Sequence, residues 1–115
     1  MRFLSVFKSP ERATPPSQEE MDKMGKLIGE AMSEGWLLST EGCMASKLGA
    51  RVRSTNGAVT VMDGPFTEAK EMIGGFAILK ADSKAHAVEL LRRFLAVVGD
   101  GECELRQLYD GYPES

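Results

Sequence analysis

Histidine, cysteine and tryptophan are almost missing from this chain: one His (His86), two Cys (Cys43 and Cys103) and one Trp (Trp36) in 115 residues. A structural zinc site needs about four ligands at short spacing, and a lone histidine without a Cys-x-x-Cys pair cannot supply them. No metal and no cofactor are expected. The two thiols are expected to be free, partly buried small residues rather than a disulfide. Long apolar runs are absent too. A membrane-spanning helix takes about 20 apolar residues, whereas "GGFAIL" is among the longest stretches present. The apolar run in "MRFLSVFKSPE" is shorter than the core of a signal peptide, which makes the cytoplasm the expected location. Charge of one sign is also lacking. With 14 Lys+Arg against 17 Asp+Glu and a net charge of −3, and no basic tract, neither nucleic acid nor a membrane surface is an expected partner. No Ser/His/Asp or Cys/His arrangement and no phosphate loop occurs.

What is present fits one globular domain over residues 1–115, with 43% apolar and 27% charged residues and length enough for a single core. "RFLSVFK" reads as a strand ending at "SPE". "PPSQEE" opens a helix in which Ser17 can cap and Glu20, three residues on, can reach back. Met21, Met24, Leu27, Ile28, Ala31 and Met32 follow at helical spacing, and Gly35 stops it. Residues 36–50 read as an irregular link. "ARVRSTNGAVTVMDG" contains two alternating segments around Asn56-Gly57, the dipeptide of tight hairpins. "GGFAILKA" is the next strand. "DSKAHAVELLRRFLAVVG" is a second helix, capped by Asp82 or Ser83, with an apolar stripe of Ala87, Val88, Leu91, Phe94, Leu95 and Val98; "ECELRQLY" is the final strand. The order of strand, helix, hairpin, strand, helix, strand predicts an α+β sandwich of ferredoxin-like (βαββαβ) type, with an extra hairpin segment and both helices on one sheet face.

A sheet covered on one face should carry polar residues on the other. Two strands break that rule. Phe3 and Phe7 share one face while Leu4 and Val6 share the other, and Phe76 and Ile78 oppose Ala77 and Leu79. Two helices hide one face only. Either residues 36–50 of the same chain fold over the open face, or a second copy packs its sheet over the first; a homodimer is the expectation, because obligate homodimer interfaces resemble a core cut in half.

The segment "MDGPFTEAKEMIGGF", with the Arg-x-Arg strand "ARVRSTNGAVTV" before it, resembles the DGPF family, a branch of the YCII-related proteins. The residues that carry the likeness are Asp63, Gly64, Pro65, Phe66, Glu68, Lys70, Glu71, Gly74, Gly75 and Phe76. The resemblance implies a dimeric α/β barrel built on a ferredoxin-like protomer. It also implies a bacterial-type setting, since related genes often accompany extracytoplasmic-function sigma factors. Some YCII-like relatives are lyases or dehalogenating enzymes on small aromatic-derived acids, in which an Asp at this strand end works with a His. Here the only histidine belongs to the second helix.

The motif residues allow two readings. Asp63 could pin the strand exit by accepting backbone amides, as in an Asx-turn, or act as an acid/base if desolvated between two subunits. Arg51 and Arg53, two apart on a strand, share a face and could clamp a carboxylate or pair with Glu68 and Glu71; Lys70 could assist with an anion. Phe66 is expected to anchor the loop in the core. Gly74 and Gly75 suggest a bulge or a close backbone approach, and His86 a surface position. Two functions follow: a homodimeric module that binds a small molecule or a protein partner in a regulatory setting, or an enzyme on a small carboxylic acid with Asp63 as acid/base.

Overall fold

A computed structural model describes residues 1–11, 14–66 and 71–111. Its elements are β1 (Arg2–Ser9), α1 (Gln18–Ser33), β2 (Leu37–Gly42), a short 3-10 turn (Ser46–Leu48), β3 (Ala50–Thr55), β4 (Ala58–Asp63), β5 (Met72–Lys80), α2 (Lys84–Val98) and β6 (Glu102–Gln107). Among the described residues, no helix is long and apolar enough to cross a membrane.

Helix α1 begins and ends on chemistry written in the sequence. The Ser17 hydroxyl accepts the amide of Glu20 at 3.1 Å, satisfying one of the orphan donors of the first turn. At the other end Gly35 takes φ +86°. The Gly35 amide then donates to the Met32 carbonyl at 3.1 Å and the Trp36 amide to Ala31 at 3.3 Å, a Schellman closure that needs a residue tolerant of positive φ. The closure turns Trp36 inward beside Ala31; Trp36 is 9% and Ala31 0% exposed. Helix α2 is capped by Ser83, not Asp82, through the amide of His86. Its buried residues are Ala87, Leu90 and Leu91. Leu90 replaces Val88 in the expected stripe, because the helix sits rotated so that Val88 faces outward at 38% exposure.

Strands β2, β5, β1 and β6 form one antiparallel sheet in that order. The arrangement is compatible with a ferredoxin-like fold, in which β3–β4 is an inserted two-stranded ribbon. The ribbon turns at Asn56 (φ 50°) and Gly57 (φ 83°), positive at both centres as a tight hairpin requires. Residues 37–42, read from the sequence as part of an irregular link, are instead the edge strand β2. Its polar run Ser39-Thr40-Glu41 lacks the alternation that marks a half-buried strand, yet the Thr40 hydroxyl donates to the Phe76 carbonyl at 2.9 Å and holds it on β5.

Strand register assigns the two faces. Phe3 lies opposite Leu79, and Ser5 opposite Ala77 and Leu105. These residues face the helices, and Phe3 and Leu79 are each 1% exposed at the centre of the core with Ala31, Trp36, Ala87, Leu90 and Leu91. The other face pairs Leu4 with Ile78 and Val6 with Phe76. All four are only partly buried, and no helix covers them. A single chain thus forms no closed barrel. Its extents of 46 × 45 × 19 Å describe a thin plate.

A clasp ties the helix layer to β2. Arg93 on α2 donates two hydrogen bonds of 2.9 Å to the Glu34 carboxylate at the end of α1. The same carboxylate accepts the Trp36 indole N–H at 3.3 Å, and the guanidinium lies 5.5 Å from the Trp36 ring centroid. The bidentate bond from Arg93 holds the Glu34 carboxyl below the usual carboxylate range. A carboxyl lowered in the folded state contributes stability above its unfolded pKa, and loses it as pH falls through the folded value. The stability gap between wild type and Glu34→Gln, read from urea midpoints, should therefore be full at about pH 7 and shrink below about pH 4.

Candidate functional site

The Asp-Gly-Pro-Phe turn is tied to the 3-10 turn that follows β2. Asp63 ends β4 opposite Ala50. At Gly64 the chain passes so close to the 3-10 turn that a Cβ there would lie 1.8 Å from the Ser46 carbonyl oxygen. Only glycine fits, for reasons of space rather than φ. The Gly64 amide donates to the Gly49 carbonyl at 3.0 Å, and the Gly64–Pro65 peptide is cis. Two residues later the Phe66 amide donates to the Ser46 hydroxyl oxygen at 3.2 Å. That hydroxyl in turn donates to Glu11 Oε2 at 3.0 Å, and the Ser46 amide donates to Glu11 Oε1. Three segments distant in sequence, after β1, after β2 and after β4, are joined through one serine. Neither Ser46 nor Glu11 stands out in the sequence, because neither lies on a periodic element or in a recognised motif.

Phe66 is half-buried and outside the core cluster, contrary to the expectation that it anchors the loop in the core. Its ring instead receives the Arg51 guanidinium, 4.0 Å from the centroid, a cation–π contact. Arg51 and Arg53 do share a ribbon face, opposite Met62 and Thr60 respectively. Asp63 lies on the other face, with Ala50 and the Val52–Val61 pair. The geometry therefore does not bring Asp63 together with either arginine across a common site in one chain. Asp63 is exposed, and its carboxylate makes no hydrogen bond or ion pair among the described residues.

Glu68 and Lys70 lie outside the described residues. Glu71 is exposed just before β5, where its charge, after those of Glu104 and Glu102, helps raise the Lys8 pKa. Gly74 is the extra residue where the β1–β5 register shifts between Phe7 and Lys8; its carbonyl accepts the Cys43 amide at 2.9 Å. Gly75 is buried opposite Gly42, and a Cβ on it would lie 2.7 Å from the Glu41 carbonyl oxygen. The glycine pair thus serves close strand approach. Phe76 points to the helix-free face beside Val6.

His86 is remote in role from Asp63. Its Nδ1 accepts the Asp82 amide at 3.0 Å and its own amide bonds Ser83, so it closes the start of α2. Cys43 and Cys103 are free thiols; burial pushes the Cys103 thiol up, against a hydrogen bond with Ser5 that lowers it. A cleft of about 610 Å³ lies between the end of β1, the first half of α1 and the end of α2, lined by Phe7, Met21, Met24, Ile28, Val97 and Asp100 among others. A second, of about 330 Å³, lies between Lys23, Leu27, Glu30 and Val97. Neither touches the Asp-Gly-Pro-Phe turn.

The family model described as the YCII-related domain matches residues 1–110. No curated protein matches the chain.

The Ser46 relay makes the turn sensitive to small changes. Gly64→Ala should destabilise the fold by about 2 kcal/mol or more, because backbone must move. Ser46→Ala, which removes only the relay, should cost about 1 kcal/mol and speed hydrogen exchange at the Phe66 amide. Chemical denaturation with residue-resolved exchange checks both; a fully stable Gly64→Ala would refute the close approach.

Proposed function

The chain belongs to the YCII-related domain family, and from that membership we propose that it works as a homodimeric module binding a small molecule or a protein partner, in a regulatory setting of the kind the family's link to sigma factors suggests. One observation carries this reading: a single chain is incomplete as a folded object. Its accessible surface is 8549 Å², against about 6,200 Å² for a compact monomer of 12.5 kDa. Its radius of gyration is 16.2 Å, where about 13 Å suits a compact domain of this length.

Two apolar surfaces contribute to that excess. The helix-free sheet face presents Leu4, Val6, Phe76 and Ile78. The β3–β4 ribbon presents Val52 (68% exposed), Val59 (64%) and Val61 (64%) on one side. An isolated two-stranded ribbon is marginal in water, and covering each half-exposed apolar side chain contributes on the order of 1 kcal/mol. A standard interface removes about 800 Å² per partner, less than the excess. A second copy closing over the sheet gives a dimeric α/β barrel with an apolar interior, a place where a small molecule could be held.

An acid/base role for Asp63 draws no support from this geometry. The residue is exposed, neither of the two clefts described above includes it, His86 is engaged elsewhere, and Arg51 and Arg53 occupy the opposite ribbon face. The motif's glycines and Phe66 serve chain passage and loop docking. Binding, rather than turnover, is the function the arrangement favours.

Ile78→Glu places a charge in the middle of the helix-free face without touching the core. It should convert the dimer to a monomer that keeps its helical circular dichroism. Light scattering coupled to size exclusion decides: a variant that stays dimeric would show that this face is not the interface.

A further inference from the structure

The helix-free face is not uniform along its strands. At one end lie three cations. Arg2 and Lys80 sit directly opposite each other on β1 and β5, and Arg106 on β6 sits opposite Leu4. At the other end lie four carboxylates around one lysine. Glu41 is opposite Phe76, Glu104 opposite Val6 and Glu102 opposite Lys8, and Glu71 precedes β5. The Lys8 ammonium bonds Glu104 at 2.9 Å, and Glu104, Glu102 and Glu71 all hold its pKa up. On β1 and β5 the apolar block of Leu4, Val6, Phe76 and Ile78 lies between the two ends, while on the edge strand β6 they meet where Arg106 bonds Glu104. In a chain of net charge −3, a cluster of cations on one edge of an apolar patch is a local reversal of sign. Like charges directly opposite in an antiparallel pair are destabilising, so the Arg2–Lys80 pair calls for an anionic neighbour. Within the chain, Arg106 is paired with Glu104 at 3.0 Å and Arg2 bonds the Tyr109 carbonyl at 2.8 Å, whereas the Lys80 ammonium makes no hydrogen bond or ion pair among the described residues.

Resting on the homodimer reading above, we infer that the two copies pack with their sheet ends exchanged, the Arg2/Lys80/Arg106 end of one chain over the Glu41/Glu71/Glu102/Glu104 end of the other. Two sheets packed face to face in a symmetric pair are related by a twofold axis lying between them. An axis along the strands sets like ends together, three cations over three cations. An axis across the strands exchanges the ends and makes each face complementary to itself. Charge pattern fixes orientation and excludes the wrong register more than it adds affinity. The apolar middle supplies attraction in either case; only the exchanged pairing leaves no end repelled.

The test uses the intact chain and the dissociation constant of its dimer, measured by sedimentation in sodium chloride from about 0.05 to 0.5 M. Exchanged ends require the wild-type dimer to weaken as salt rises, because the attraction between exposed charges is screened. Lys80→Glu and Glu102→Lys, both at exposed positions, should each weaken the dimer by about three- to tenfold at low salt, and the doubly substituted chain, in which one charge is exchanged between the two ends, should recover most of the loss. Like-ended packing gives the opposite signs: a dimer that tightens with salt and with Lys80→Glu. Either of those, or no response to either single substitution, overturns the inference and leaves the homodimer standing. A wild-type chain that is monomeric at micromolar concentration overturns both, and the face then belongs to a different partner.

Discussion

A four-stranded sheet has two faces, and this chain has helices for one of them. That mismatch shapes the rest of the structure. Phe3, Leu79, Ala31, Trp36, Ala87, Leu90 and Leu91 close a small core on the helix side. Leu4, Val6, Phe76 and Ile78 lie on the other side, partly buried, with the same aliphatic and aromatic character and, among the described residues, no helix over them. The plate-like extents, only 19 Å in the thin direction, restate the mismatch as shape: two layers where a sandwich with an apolar far side needs three. The second copy proposed above would be an economical third layer, because it would solve the same problem for both partners.

The Asp-Gly-Pro-Phe turn gains its meaning within that frame. Gly64 is demanded by the Ser46 carbonyl, Gly75 by the Glu41 carbonyl and Gly74 by a register shift in the sheet. Phe66 lies beneath the Arg51 guanidinium. Each of these is a device for leading the chain out of a ribbon and into the central strand β5, whose outer face then carries Phe76 and Ile78. The motif thus delivers the very side chains that demand cover. Asp63, its first residue, ends up exposed on the ribbon, where a carboxylate has no reason to be desolvated.

Much of this was legible from residue order. The Ser17 cap, the Gly35 stop, the Asn56-Gly57 hairpin and the mixed faces of β1 and β5 follow from local chemistry and from the period of two in a strand. The motif itself pointed to the family. Other features left no local trace. Strand β2 is polar because it is an edge, held by backbone pairing and by Thr40, and its sequence looks like a loop. The choice of Leu90 over Val88 depends on how α2 rotates against the sheet, which is settled by packing. The Glu11–Ser46–Phe66 relay joins residues 20 to 35 positions apart, so it exists only once the fold has formed. Phe66 was misread because an aromatic in a loop suggests a core anchor, and nothing local says that Arg51 will lie over it.

The mass of the native particle bears most directly on the demand of the uncovered face for a second copy. Sedimentation equilibrium at micromolar concentration should give twice the 12.5 kDa chain mass. A particle of one chain mass, stable and well behaved at that concentration, would contradict it: the aliphatic side chains of the helix-free face would then be content in water, and neither the barrel nor its enclosed interior would exist.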